Sequence, residues 1–214
     1  PRKARHNRPA QSTVRLAMSL PTDIRPVASE LFFLPVHTRM PLKFGGETVT
    51  YVTCARCRIT VRDAQGRTAD GWGETPLSVT WVWPSALSYE ERHEALKSFC
   101  ETLAEAWAQF EADGHPLEVG SDFIKQQLPG LLEAHNAGRS EPMPWLAALV
   151  CNSLFDIALH DAYGQLHARD IYETYNAQWM SRSLEQFLEP ATGTAVDFTG
   201  QYPEDYFEGT APRQ

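Results

Sequence analysis

Apolar and polar residues alternate along one stretch in the first third of the chain. In TYVTCARCRITVRD, apolar positions recur at every second residue, with one shift, between arginines and threonines. This is the period of a strand with one buried face, and it predicts a strand from about Val49 to Arg62. Shorter strands are predicted before it, at residues 28–36, and after it, at residues 67–74. Asp63 and Gly66 suit the ends of a type I hairpin turn, so we predict a three-stranded antiparallel meander.

Helical spacing takes over after the strands. Ser88 and Glu91 match a capping box, and the apolar stripe that follows ends near Gly114. A shorter helix is predicted at residues 122–132, broken around Pro129 and Gly130. A third, at residues 145–163, is apolar on nearly every side and therefore buried, and we expect Gly164 to end it. Strands followed by helices predict an α+β fold, with a helical bundle on one face of the meander. The apolar stripe of the first predicted helix, which follows the capping box, consists of Leu96, Phe99, Leu103, Trp107 and Phe110.

Composition narrows the classes of partner. The chain has 214 residues, 43% of them hydrophobic, and a formal net charge of −8. Such a chain can bury a core, and no apolar run approaches the ~20 residues that span a bilayer. We therefore do not expect a membrane as a partner. Nucleic acid is not expected either, because its binding needs clustered Lys and Arg. The basic residues 1–17 precede Met18 and are expected to be a disordered extension; a targeting peptide or a nucleic-acid arm is the alternative.

Four cysteines include one CxxC pair, Cys54 and Cys57. Both fall on the predicted long strand, where residues three apart point to opposite faces. Two such thiols cannot hold one ion without a bulge. We therefore expect reduced thiols in a cytoplasmic protein, and keep a zinc or redox protein as a weaker alternative.

Three motifs, in this order, resemble the N-terminal capping domain of the enolase superfamily. Its mandelate racemase and muconate lactonizing enzyme branch is the most similar. The segment TRMPLKFGG, Thr38–Gly46, resembles the mobile loop after the first strand of that domain. GWGETP, Gly71–Pro76, resembles the family's G-x-G-E-x-x-P strand end. SLFDIALHDAYGQLHARDIYE, Ser153–Glu173, resembles its A-x-x-D-x-A-x-x-D-x-x-G helix.

The resemblance implies one part of a two-part enzyme. In that family a cap closes over a (β/α)₈ barrel, where three carboxylates bind Mg²⁺ and Lys or His residues remove the proton alpha to a substrate carboxylate. The reactions are those of isomerases and lyases: racemases, epimerases, dehydratases and cycloisomerases. The metal stabilises the enediolate as it forms, so a positioned base suffices.

The barrel itself is not recognisable in this sequence. It needs about 250 residues, whereas residues 18–176 match the cap and residues 177–214 form an irregular, acidic segment that leads toward an absent barrel. No Lys-x-Lys motif occurs. We therefore expect this chain to supply substrate specificity without catalytic residues or a bound metal, although the complete enzyme would use Mg²⁺. A free-standing binding or interaction module is the alternative.

The resemblance also implies which residues meet the substrate. The partners of this chain would be a small carboxylate substrate and the missing barrel, and the chain could also form a homo-oligomer. Arg39 could pair with a carboxylate, or be a solvated loop charge. Met40 and Phe44 could cover the substrate, or pin the loop, with Gly45 and Gly46 as hinges. Trp72, still in the strand, is expected to pack. The substrate-binding candidates are His37, Arg39, Met40 and Phe44, in or next to Thr38–Gly46 (the first segment), and Leu77, Trp81 and Trp83, in the loop that follows Pro76 (the second segment).

A further group near the end of the third helix invites a metal or acid/base interpretation. It consists of His160, Asp161 and His167. His160 and Asp161 are adjacent on a helix, so they point about 100° apart, and His167 lies beyond the expected end at Gly164. We favour structural roles, in which Asp156 and Asp161 bind backbone groups or arginine where cap and barrel would meet.

Overall fold

The computed structural model describes residues 20–44 and 47–207, without the side chains of Phe44 and Glu47. Three antiparallel strands lie in the order β1-β2-β3, as the alternation predicted. The predictions for residues 1–17, Met18, Gly45 and Gly46 fall outside the described residues. The strands are β1 (Ile24–Phe44), β2 (Glu47–Asp63) and β3 (Thr68–Pro76).

Five helices follow in the described part of the chain, so the α+β prediction is confirmed. Helix α2 begins with the predicted capping box, because Ser88 Oγ accepts from the Glu91 amide while Glu91 Oε2 accepts from the Ser88 amide. No helix of the described residues is both long and apolar enough to cross a bilayer. The helices are α1 (Val79–Val82), α2 (Tyr89–Ala108), α3 (Pro116–Gln126), α4 (Leu128–Asn136) and α5 (Trp145–His167).

The first strand is much longer than predicted. Residues 38–44, expected to be a loop, continue β1 and pair again with β2. The register shifts between His37, opposite Tyr51, and Leu42, opposite Val49, so four residues of β1 face one of β2. Pro41 lies in this bulge, where it removes no hydrogen bond from the ladder. The predicted loop is therefore the bulged distal end of a long hairpin.

The turn between β2 and β3 was predicted correctly. The Gly66 amide donates to the Asp63 carbonyl at 3.0 Å, and Gly66 has a φ of 81°. Asp63 Oδ1 accepts from the amides of Gln65 and Arg67 at 3.0 and 2.8 Å. Asp63 thus holds the turn with its side chain as well as its backbone.

Three helix ends differ from the prediction. Helix α5 continues past Gly164 to His167 and ends at Ala168, whose φ of 50° is left-handed. One glycine costs a helix only about 1 kcal/mol, and here a Cβ would lie 3.0 Å from the Arg169 carbonyl oxygen. The helix predicted at residues 122–132 is two helices that meet at Gln127. Helix α2 ends at Ala108, before Gly114.

The predicted apolar stripe of α2 is buried. Leu96, Phe99, Leu103 and Trp107 have no exposed surface. The Trp107 and Phe123 rings stack with centroids 4.0 Å apart, which joins α2 to α3. The Trp107 indole donates to Asn152 Oδ1 at 2.9 Å, so the buried polar group of α5 is paired.

Strand β3 lies directly against α5 at two glycines. A Cβ on Gly73 would overlap the Leu154 carbonyl oxygen and lie 2.7 Å from the Ala158 amide nitrogen. A Cβ on Gly71 would collide with the backbone of Ala162 in the same way. The two backbones can meet only because these residues have no side chain.

The residue between the glycines faces the other way. Trp72 is 46% exposed and packs on the outer face of the sheet, with its ring 6.0 Å from that of Phe32 and 5.8 Å from the Arg58 guanidinium. Its amide donates to Asp161 Oδ2 at 2.8 Å, which confirms a structural role for that carboxylate. Asp161 thus satisfies an edge-strand amide that no neighbouring strand can reach.

Residues 177–207 have no regular structure beyond two short 3₁₀ turns, and they are anchored on α3. Arg182 forms a bidentate pair with Asp122 at 2.8 and 2.9 Å. The buried Glu118 carboxylate accepts from the Arg182 amide at 2.7 Å. These bonds, together with Lys125 donating to the Gln186 carbonyl at 3.1 Å, order the segment without a core of its own.

We predict that Gly73→Ala destabilises the protein by about 2 kcal/mol or more, because the new methyl group would separate β3 from α5. Urea unfolding followed by circular dichroism measures the change. Gly130→Ala is the matched control: its Cβ meets nothing within 4 Å, and it should be neutral or stabilising by up to about 1 kcal/mol. Equal effects of the two substitutions would contradict the close contact.

Candidate functional site

A groove of about 540 Å³ lies between the distal end of the β1–β2 hairpin and the segment that leaves β3. Small-molecule sites commonly enclose roughly 300–1,000 Å³. The start of α2 closes one end. The lining residues are Thr38, Leu42, Thr48, Val49, Thr50, Tyr51, Val52, Pro76, Leu77, Ser78, Val79, Thr80, Trp81, Tyr89 and Glu90.

Hydrogen bonds hold the hairpin wall of the groove in its bulged shape. Thr38 Oγ1 lies 3.1 Å from the Thr50 carbonyl oxygen and 3.4 Å from that of Val49, so its hydroxyl donates across the bulge. A threonine at this point replaces ladder bonds that the register shift removes.

The opposite wall is tied to the sheet and to α2. The Leu77 amide donates to the Thr53 carbonyl at 2.8 Å, which carries the chain from β3 into α1. Arg92 is buried, and its Nη1 donates to the Trp83 carbonyl at 2.6 Å. A buried arginine bonded to backbone carbonyls fixes the position of this segment.

The three candidates on the second segment separate into wall and core. Trp81 lines the groove and is 51% exposed. Leu77 contributes to the lining from a fully buried position. Trp83, expected to present its ring to a substrate, is instead 2% exposed and belongs to the core, where its indole donates to Glu141 Oε1 at 3.2 Å. Spacing along a loop could not tell these rings apart, because α1 turns them to different sides.

Three of the four candidates on the first segment lie outside the groove. His37, Arg39 and Met40 are exposed, Met40 by 73%, and none of them belongs to the lining. The His37 ring lies 6.3 Å from that of Tyr51, a lining residue. The side chain of Phe44 is outside the described residues. Thr38 and Leu42, neighbours of the candidates in the sequence, are the residues that line the groove.

A row of rings at the α2 end of the groove was not anticipated from the sequence. The Tyr51 and Tyr89 rings are 6.3 Å apart, and Tyr89 stacks on His93 at 5.6 Å. His93 Nε2 lies 2.9 Å from Thr53 Oγ1, and burial lowers the pKa of this histidine. The only sequence signal was the position of Tyr89 directly after the capping residue Ser88.

The groove has little acid/base or metal-binding capacity of its own. Among its described lining residues the only side chain charged at neutral pH is Glu90. No group of three or more His, Cys, Asp or Glu side chains in the described residues is placed to hold a metal ion. The described residues therefore do not fit Mg²⁺, and the lining of the groove is suited to select a ligand by shape and polarity.

The histidines near the end of α5 have separate structural partners. His160 Nδ1 donates to the Asp156 carbonyl at 2.8 Å, and His167 Nε2 donates to the Thr22 carbonyl at 3.0 Å. Because α5 continues past Gly164, these two histidines share one helix, contrary to the expected break. A third, His115, lies with its ring centroid 6.4 Å from that of His160. Burial raises the pKa of the Asp156 carboxyl.

His115 is fully buried and caps α3. Its Nδ1 accepts from the Leu117 amide at 3.2 Å, so the proton is on Nε2, which donates to Thr174 Oγ1 at 2.9 Å. Burial, together with the charges of His160 and His167, lowers the pKa of His115 to about 3. Protonation would place a hydrogen on Nδ1 and remove the cap, so His115 is held neutral.

The cysteines are four free, buried thiols. Cys54 and Cys57 lie on β2 as predicted, and Cys57 Sγ donates to the Leu154 carbonyl at 3.2 Å. Burial raises the pKa of Cys57 to about 12 and also raises that of Cys54. A thiol with so high a pKa is a poor nucleophile and a poor metal ligand at neutral pH.

Comparisons with known proteins give solved structures only. No family model matches the chain, and no curated protein matches it. The chain is similar to the L-Ala-D/L-Glu epimerase from Bacillus subtilis, with 16% identity over 71% of this chain and 34% of that one, at a TM-score of 0.41. A member of the enolase superfamily from Roseovarius nubinhibens ISM is 19% identical over 67% of this chain and 31% of its own, at a TM-score of 0.39.

A third structure is the L-talarate/galactarate dehydratase from Salmonella typhimurium LT2. It is 15% identical over 79% of this chain and 36% of its own, at a TM-score of 0.42. The chain thus spans about a third of the length of the solved chains that it matches.

We predict that Trp83→Ala destabilises the protein by about 3–5 kcal/mol, as expected for a truncated core ring. Trp81→Ala, which removes an exposed wall of the groove, should change the free energy of unfolding by less than about 1 kcal/mol. Chemical denaturation of both variants checks the assignment. A small effect at residue 83 would contradict its place in the core.

We predict that acid destabilises the fold through His115. Its folded pKa lies below the unfolded value of 6.5, so the unfolded state takes up the proton first as the pH falls. Stability is then lost from about pH 6.5 downward, by up to about 1.4 kcal/mol per pH unit for this group. The partly buried His93 and His167, whose pKa values burial also lowers, add to the same trend.

The variant His115→Asn keeps an oxygen that can cap α3 but cannot titrate in this range. Denaturation between about pH 7 and pH 5 should show a shallower loss of stability than in the unmodified protein. His37→Asn, at an exposed histidine, serves as the control and should keep the original slope. An unchanged slope in His115→Asn would refute the assignment.

Proposed function

We propose that this chain is the substrate-specificity cap of a Mg²⁺-dependent enzyme of the enolase superfamily. Such enzymes are racemases, epimerases, dehydratases or cycloisomerases that abstract the proton alpha to a carboxylate. Residues 18–176 form the cap in this proposal. The magnesium ion and the proton-transfer residues would be supplied by a barrel, because the described residues contain no fitting metal site.

One observation carries the proposal. The two segments that the family resemblance identifies as specificity segments are far apart in the sequence, yet they line a single groove. Thr38 and Leu42 from the first segment face Leu77 and Trp81 from the second. A specificity cap needs this arrangement, since both segments must reach the same substrate.

Two of the motifs on which the resemblance rests also have a physical function in this fold, and they act at the same place. This supports treating them as parts of one family pattern. The glycines of GWGETP permit the contact between β3 and α5. The second aspartate of the helix motif, Asp161, binds the amide of the residue between those glycines. Residues from two motifs thus serve one contact, and this contact positions the groove.

A binding module without catalysis is the second candidate. It is favoured by the groove itself, which has the size of a ligand site but only one charged side chain among its described lining residues. The two candidates differ in one measurable respect. A module would bind its ligand and leave the alpha proton in place, whereas the enzyme would exchange or eliminate it.

The decisive measurement is exchange of alpha protons with solvent deuterium, followed by NMR. The protein expressed from the whole gene is incubated in D₂O with Mg²⁺ and a panel of carboxylates that carry an alpha proton. We expect exchange or elimination for at least one acid, and its loss when EDTA removes the metal. Binding of an acid without either reaction would favour the module. If no acid is bound and none reacts, both candidates are overturned.

The groove is tested with two tryptophans of similar exposure. Trp81→Ala should lower kcat/KM for the best substrate about tenfold or more, because it removes one wall of the site. Trp72→Ala, on the outer face of the sheet, should leave kcat/KM unchanged. The same loss in both variants would contradict a role of the groove in specificity.

A further inference from the structure

The chemistry of the groove indicates which part of a substrate it would receive, an inference that rests on the proposed function. Its lining is largely apolar and aromatic and includes Leu42, Val49, Val52, Tyr51 and Trp81. Lys, Arg and His are missing among the described lining residues. Apolar surface favours an apolar ligand, by about 25 cal/mol for each Å² removed from water.

A carboxylate would be poorly accommodated in this groove. A buried anion needs a cation or several hydrogen-bond donors to replace its hydration. The basic residues of the first segment, His37 and Arg39, do not belong to the lining. Glu90, the charged lining residue, would repel a second anion.

The backbone donors of the second wall are also engaged. The Leu77 amide donates to the Thr53 carbonyl, the Ser78 amide to the Pro76 carbonyl, and the Val79 amide to the Leu77 carbonyl. On the hairpin wall the Thr38 hydroxyl donates to the carbonyls of residues 49 and 50. These groups therefore cannot form a cradle for an anion.

We propose that the groove receives the uncharged, apolar end of a monocarboxylate substrate and selects against dicarboxylates. The substrate's single carboxylate would then lie outside the groove, with the apolar substituent between Leu42 and Trp81. Dicarboxylates are disfavoured because Glu90 repels a second carboxylate and no described lining residue is a cation. The aromatic walls provide the affinity for the apolar substituent. This assignment replaces Arg39 as a carboxylate partner in the groove.

The test measures binding to the full chain by NMR with three small probes of similar length. They are 4-phenylbutan-1-ol, which is neutral, 4-phenylbutanoate, and hexanedioate, which carries two charges. The indole signal of Trp81 is assigned with Trp81→Phe and reports binding at the groove. We expect the alcohol and the monoanion to shift this signal, and hexanedioate to bind at least about tenfold more weakly.

Two substitutions in the lining should change the ligand preference of the groove, whereas their matched controls outside the lining should not. Leu42→Arg should weaken binding of the alcohol about tenfold and strengthen that of hexanedioate, because it adds a cation to the wall. Val36→Arg, at an exposed apolar residue of the same strand outside the lining, should do neither. Glu90→Gln should improve hexanedioate binding several-fold, whereas Glu94→Gln, on the same helix outside the lining, should not.

The outcomes separate this inference from the proposed function. Binding of hexanedioate as tight as that of the alcohol, or no shift of the Trp81 signal with any probe, overturns the inference. The same holds if Leu42→Arg and Val36→Arg behave alike. The proposed function fails on a different result, the absence of alpha-proton exchange in the protein from the whole gene.

Discussion

Direct contact between the backbones of β3 and α5 is the constraint on which the other elements depend. At Gly71 and Gly73 no side chain separates strand from helix, and Asp161 closes the contact by accepting the amide between them. Cys57 on the central strand adds a bond to the Leu154 carbonyl. Such a contact allows almost no sliding, because any shift would press the pleat of the strand into the turns of the helix.

This constraint determines where the groove lies. With β3 held on α5, the chain leaves the sheet beside Thr53 and enters α1, where the amides of Val79, Trp81 and Val82 donate to backbone carbonyls. The long hairpin formed by β1 and β2 extends past this exit, and its bulge faces the α1 segment. The groove is thus a gap between two rigid walls, which suits selection by shape.

The described lining of the groove contains few ionisable groups. A site that moves protons needs ionisable groups with pKa values near neutrality, placed within reach of the reacting atom. Here strongly perturbed groups such as His115 and Cys57 are buried elsewhere and serve the fold. The described lining residues offer apolar walls, hydroxyl groups and one carboxylate. This division is consistent with a domain that chooses a ligand for chemistry performed by another part of a protein.

The amino-acid sequence was sufficient to predict the strand order, the turn at Asp63–Gly66, the capping box of α2 and its buried stripe. Each of these depends on residues that are close in the chain or on a regular period, so local physics suffices. The GWGETP and helix motifs could also be recognised, although not their contact.

Only the folded structure shows that residues 38–44 continue β1, since pairing with β2 outweighs the local effect of Pro41. It likewise carried α5 past Gly164, buried Trp83, exposed Trp72 and placed Leu42 and Trp81 in the lining of one groove. Those outcomes depend on which surfaces meet across the fold, and neither periodicity nor spacing along the chain contains that information.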